Sequence, residues 1–181
     1  MVQFDLLDVT HIERANDGIG YLANFIDVYS RYAWLEPLKN KSDLRGKINS
    51  VLKRIRDTNP ENVDKVYQLR VQLGWQEPDT KNQTPYPEAI YSDKEAVAEA
   101  HDFKDIVANH GIEWVTITPG EKTALAMVER FNLTLRQLIA KYNLDNDTNR
   151  YIDDLKRLVN HYNHTQNSNL SYKTPYSIYF W

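Results

Sequence analysis

Three acidic residues stand where a folded chain does not ordinarily put acids. Asp5 lies inside the β-prone run VQFDLLDVT, Asp93 closes the run EAIYSD, and Glu129 borders the seam of the amphipathic stretch 120–143. In that stretch Val128, Phe131, Leu135, Leu138 and Tyr142 recur at helical spacing, so the buried stripe is legible and Glu129 sits at its margin. A carboxylate taken out of water is costly unless it is paired or bound to a cation. Three brought together repel one another, and a divalent ion resolves the repulsion. The chain has no cysteine, which excludes thiolate zinc and disulfides. Carboxylate oxygens suit Mg²⁺ or Mn²⁺. Two such ions about 3.5–4 Å apart activate a nucleophile and stabilise the leaving oxygen of an in-line phosphoryl displacement. The competing reading is local: an aspartate at a strand end caps a turn or a helix.

The elements that must bring these acids together can be traced along the chain. VQFDLLDVT, GYLANFIDV and RYAWLEPL read as three strands joined by short turns, an antiparallel meander. The first connection carries an Asp-Gly pair suited to positive φ, and the second turns at Tyr29 to Arg31. Ser42 is expected as an N-cap. It precedes a 3.6-period stripe of Leu44, Ile48, Val51, Leu52 and Ile55 that ends before Asn59 and Pro60. Residues 59 to 88 are rich in proline and polar residues and read as an insert without assigned elements. A strand at EAIYSD, a helix around Phe103, Ile106 and Val107 closing at Gly111, and a strand at IEWVTIT follow. The long helix carrying Glu129 is next, and then one with Ile152, Leu155, Val159 and Tyr162 on one side. This order predicts an α/β fold, a five-stranded mixed sheet flanked by helices, in one domain spanning 1–181.

Composition narrows the function classes. The 41% hydrophobic content supports a packed core rather than a disordered chain. No apolar run approaches the ~20 residues of a membrane helix, and no signal-type N-terminus is present, so an intracellular protein without membrane contact is expected. A net charge of −3 argues against whole-surface binding of nucleic acid. Residues 39 to 56 differ locally, with Lys39, Lys41, Arg45, Lys47, Lys53, Arg54 and Arg56 against Asp43 alone. That run reads equally as a solvated helix face or as a nucleic-acid contact.

The segments QFDLLDVT, YLANFIDVYSRYAWLEPLKNKS, IYSD, ERFNLTLRQLIAKYN and LVNHYNHTQNSNLSYKTPYSIYF occur in the order seen in retroviral-type integrase catalytic cores. The chain resembles that superfamily over nearly its whole length apart from the 59–88 insert. Within it the resemblance is greatest to the Maverick/Polinton and virophage group. Thirty-five residues separate Asp93 from Glu129, the spacing by which that family is known.

The resemblance implies a ribonuclease-H-like fold and a catalytic, metal-binding triad of Asp5, Asp93 and Glu129 served by Mg²⁺ or Mn²⁺. It implies a polynucleotidyl transferase that processes DNA 3′ ends and joins them to a target, working as a homodimer or higher homo-oligomer in a nucleus or a viral particle. Asp8, three residues from Asp5, competes for the first position but faces the other side of a regular strand. Asp27 belongs to the family pattern and is expected to organise backbone N–H groups of its turn. Asn132 and Arg136 are expected to share an exposed flank with Glu129 and to contact DNA, with Lys122 extending that edge. Leu133 stands where the family commonly has a basic residue, and Glu95 where it has glycine. The histidines form no His-His-Cys-Cys set, so the expectation is a catalytic core without its zinc module. The alternatives are a hydrolytic nuclease of the same fold and a non-catalytic DNA-binding or assembly module.

Overall fold

A computed structural model describes residues 1–58, 86–93, 103–117 and 124–180. Its five strands are β1 (Val2–Asp8), β2 (Tyr21–Asp27), β3 (Ala33–Leu38), β4 (Ala89–Asp93) and β5 (Glu113–Ile117). They form one sheet in the order β3-β2-β1-β4-β5. The first three pair antiparallel, whereas β1, β4 and β5 run parallel, so the sheet is mixed as expected. The β1–β2 connection turns through Asp17 at φ 57° and Gly18 at φ 77°, the positive pair anticipated from Asp-Gly.

Alternation along the strands sends side chains to two cores. On one face Val2, Phe4, Phe25, Trp34 and Ile90 pack against helix α1 (Leu44–Thr58) and Val107 of α2 (Phe103–Ala108). The α1 residues Leu44, Ile48, Val51, Leu52 and Ile55 are all buried, the stripe read from the sequence. Its start differs from expectation. A 3₁₀ turn, Lys41–Asp43, leads into the helix, and the Asp43 carboxylate accepts the Asn40 N–H at 2.9 Å, so Ser42 is not the cap. On the other face Leu7, Leu22, Ile26 and Leu35 meet α3 (Ala126–Asp145) and α4 (Leu155–His164). The last described element, α5 (Pro175–Phe180), has no counterpart in the sequence reading. Its Tyr179 stacks on Tyr32 at 4.8 Å between ring centroids and meets Trp34 edge-on.

β3 is an edge strand, and much of its outward backbone is occupied. The Asn163 side chain accepts the Ala33 N–H at 2.9 Å and donates to the Ala33 carbonyl at 3.0 Å, as a neighbouring strand would. Arg54 donates to the Leu35 carbonyl, and Pro37 has no N–H to offer. Such an edge resists addition of a further strand.

The basic run of residues 39–56 is partly consumed internally. Arg54 and Lys47 both pair with Glu36, Arg56 pairs with Asp57, and Lys41 lies over the Tyr21 ring. Asp27 serves its turn as expected, accepting both the N–H and the hydroxyl of Ser30. The 59–88 insert falls outside the described residues except at its end, and so do Lys122 and Glu95.

Candidate active site

The site is built on the face of the sheet that carries α3. Alternation puts Gln3, Asp5 and Leu7 of β1 on this face, and Leu7 is part of the core beneath α3 and α4. Gln3 lies beside Tyr91 in the parallel β1–β4 ladder. Two residues further along each strand come Asp5 and Asp93, which therefore share the face on neighbouring strands. Asp8 falls on the opposite side of the pleat. It is exposed, and its carboxylate accepts the N–H and hydroxyl of Thr10, which holds its carboxyl below the usual range.

Gln3 fixes α3 against the strand. Its Oε1 accepts the backbone N–H groups of Met127 and Val128, each at 3.0 Å, while its Nε2 donates to the Ala124 carbonyl. These are N–H groups of the first helical turn, which lack intrahelical partners. A glutamine from the sheet thus replaces a local cap, and Leu125, at the N-cap position, supplies no side-chain bond. Glu129 is the next residue along and is exposed.

One turn beyond Glu129, Asn132 reaches β1 and donates to Asp5 Oδ2 at 2.6 Å. Asp5 Oδ1 accepts the Leu6 N–H at 2.8 Å. Asn132 in turn accepts from the Nδ2 of Asn24, which stands directly across the β1–β2 ladder from Asp5. The expectation of an exposed Asn132 is corrected here: it is 7% accessible and belongs to the buried face of α3 with Val128, Phe131, Leu135 and Ile139. A polar residue is tolerated there because Asp5 and Asn24 supply its partners. Arg136, one turn further, is exposed as expected.

Burial raises the Asp5 carboxyl to about 6, and the charges of Asp93 and then Glu129 push in the same direction. The Leu6 N–H and the Asn132 amide oppose the rise without cancelling it. Asp5 therefore feels both other acids, and their mutual repulsion is what a divalent cation would relieve. The donors are all carboxylate oxygens, which fit Mg²⁺ or Mn²⁺ in kind. Among the described residues, no three acidic or histidine side chains come close enough together to hold an ion as they stand.

Two residues that bond α3 to the sheet here were not legible as such. Gln3 reads from sequence only as part of a QFD motif, and Asn24 only as one polar residue in YLANFIDV. The available signal was phase: Asn24 falls in step with Leu22 and Ile26, which pack under α3 and α4, on a strand buried on both faces.

Comparisons with known proteins agree with this architecture. A chain of the simian T-cell lymphotropic virus intasome, solved in complex with PP2A regulatory subunit B56 gamma, superposes with a TM-score of 0.70 at 17% identity, over 99% of this chain and 54% of that one. The HTLV-2 integrase catalytic core domain, solved with magnesium in a trimeric form, superposes at 0.59 with 18% identity, over 98% of this chain and 94% of its own. The fold is thus that of integrase catalytic cores, a ribonuclease-H-like mixed sheet flanked by helices. In sequence, a putative uncharacterized transposon-derived protein of Caenorhabditis elegans is 26% identical over 167 residues, which is 91% of this chain and 48% of that protein. The chain therefore spans about half the length of the curated relative it matches. No family model matches it. Among the described residues, no helix is long and apolar enough to cross a membrane.

Proposed function

We propose that this chain is the catalytic core of an integrase, a metal-dependent polynucleotidyl transferase of a mobile element, with the Maverick/Polinton and virophage group as its nearest kin. The observation that carries the reading is that Asp5 and Asp93 share one face on adjacent strands, with the Glu129 helix clamped to that face by Gln3 and Asn132. Asp5, Asp93 and Glu129 would hold the metal, which when bound supplies charge neutralisation at the phosphate and an activated oxygen nucleophile.

The chain's own residues supply placement. Asn132 and the Leu6 N–H hold the Asp5 carboxylate in one orientation, and Gln3 sets the axial position of Glu129. Arg136, exposed on the same helix, together with Lys122 would meet DNA phosphates, whereas Asn132 acts from within the protein. The reaction is trimming of a DNA 3′ end followed by attack of the new 3′-hydroxyl on a target phosphodiester, with no covalent protein intermediate. DNA is the partner, a homodimer or higher homo-oligomer the working form, and a nucleus or viral particle the setting.

The test is incubation of the chain with end-labelled duplex DNA and Mn²⁺, with products resolved on a denaturing gel. A shortened strand and a longer joined strand are expected, both lost in Asp93→Asn. Shortening without joining would identify a hydrolytic nuclease, and DNA retention with neither product a non-catalytic assembly module.

A further inference from the structure

We propose that Asn24, on a strand that contributes no acid to the site, is a positioning residue that fixes the orientation of Asp5 through Asn132. The inference rests on the reading of Asp5 as a metal ligand and extends it to a residue outside the acidic set.

The polarity of the relay is determined by its end. Asp5 is an acceptor, so the Asn132 amide must turn its Nδ2 toward it, as the 2.6 Å contact records. That turns Asn132 Oδ1 toward β2, where only a donor satisfies it. Asn24 Nδ2 meets it at 2.6 Å. The same choice leaves Asn24 Oδ1 pointing elsewhere, and that atom is buried without a hydrogen-bond partner. Asn24 itself is 0% accessible.

An orphaned buried acceptor is destabilising, and an apolar side chain in step with Leu22 and Ile26 would avoid it. Apart from satisfying Asn132, the amide at this position therefore does nothing for the core that leucine would not do better. What leucine lacks is the donor. Without it, Asn132 Oδ1 is a buried acceptor with no donor on β2, and the Asn132 amide tilts away to seek one elsewhere. The bond from its Nδ2 to Asp5 is then bent or lost, and the carboxylate leaves the orientation in which its remaining lone pairs are offered to an ion. Partners of metal ligands held in this way typically change metal affinity about 10–100-fold when removed.

The experiment compares wild type with Asn24→Leu, and with Asn24→Val should leucine not fit the strand. Two quantities are read on each folded protein: MnCl₂ affinity by isothermal titration calorimetry, and the side-chain amide resonances of Asn132 in a ¹⁵N-labelled sample without metal. Expected are a Mn²⁺ affinity lowered at least tenfold and a shift of the Asn132 amide protons from the bonded position toward that of a free amide. A purely structural Asn24 would change stability while leaving both readouts in place. Unchanged Mn²⁺ affinity, or lowered affinity with the Asn132 resonances unmoved, overturns the relay. Wild type that binds no Mn²⁺ overturns the metal-site reading itself, and the two failures are thereby told apart.

Discussion

Gln3 and Val128 are joined by a 3.0 Å hydrogen bond from the helix N–H to the strand side chain, one residue before Glu129. Gln3 is 3% accessible and makes two further bonds to the same helix end. Gln3→Ala removes all three and leaves buried N–H groups of α3 unsatisfied, at a cost of about 2–3 kcal/mol. Urea unfolding should show the midpoint falling with its slope unchanged. Gln3→Glu retains the acceptor for the N–H groups but turns an oxygen toward the Ala124 carbonyl and buries a charge, so it should recover part of the loss only at acidic pH, where its carboxyl is protonated. No recovery at acidic pH would mean that the bonds to the helix N–H groups carry little.

Asp5 makes stability depend on pH. Its carboxyl is raised from 3.8 to about 6, so between those values the folded chain binds a proton that the unfolded chain has released. Linkage then has one sign: stability falls as pH rises through this window, and the full penalty stands at neutral pH. The magnitude is on the order of 2–3 kcal/mol without metal. Asp5→Asn removes the titration together with part of the hydrogen bonding, so the slope is the informative quantity. Relative to wild type, the variant should gain about that much between pH 4 and pH 7 in metal-free chemical denaturation. Parallel pH profiles would show that Asp5 is not held above its ordinary range.

The alternation of β1 was enough to separate Asp5 from Asp8 by face, and the apolar period of α1 located its whole buried stripe. The partners of those residues were not readable, because they lie far away along the chain. Asn24 and Asn132 are 108 positions apart, and nothing within YLANFIDV says what its asparagine faces. Asn132 was misplaced for a related reason. A stripe drawn from apolar residues alone gives polar ones to solvent, whereas here two polar groups of the sheet draw one inward. Helix α5 is too short for periodicity to register. Its start signal was nevertheless present, since Thr174 precedes Pro175 at the first helical position and its hydroxyl accepts the Ser177 N–H.

Asn163 is a second asparagine whose backbone bonds can be tested. It is 3% accessible and satisfies both the N–H and the C=O of Ala33 on the open edge of the sheet. Asn163→Leu keeps the branched shape and strips both bonds, costing about 2–3 kcal/mol and freeing an edge for intermolecular pairing. A lower thermal midpoint accompanied by concentration-dependent light scattering is expected. A variant with lower stability that stays monodisperse would mean that Arg54 and Pro37 protect the edge unaided.

Arg136 tests whether the exposed edge of α3 meets DNA. It is exposed, one turn beyond the buried Asn132 and two turns beyond Glu129, so no core contact depends on it. Arg136→Glu should therefore leave the unfolding midpoint within about 0.5 kcal/mol of wild type. If the guanidinium neutralises a phosphate, the substitution weakens duplex binding about tenfold, as expected for the loss of one charge-assisted hydrogen bond. It also makes the plot of log affinity against log salt shallower by about one unit, since one fewer counterion is released. Fluorescence anisotropy across a salt series reads both quantities. Weaker binding with an unaltered salt slope would assign the effect to a local structural change and not to a lost phosphate contact, and unaltered binding would remove Arg136 from the DNA path.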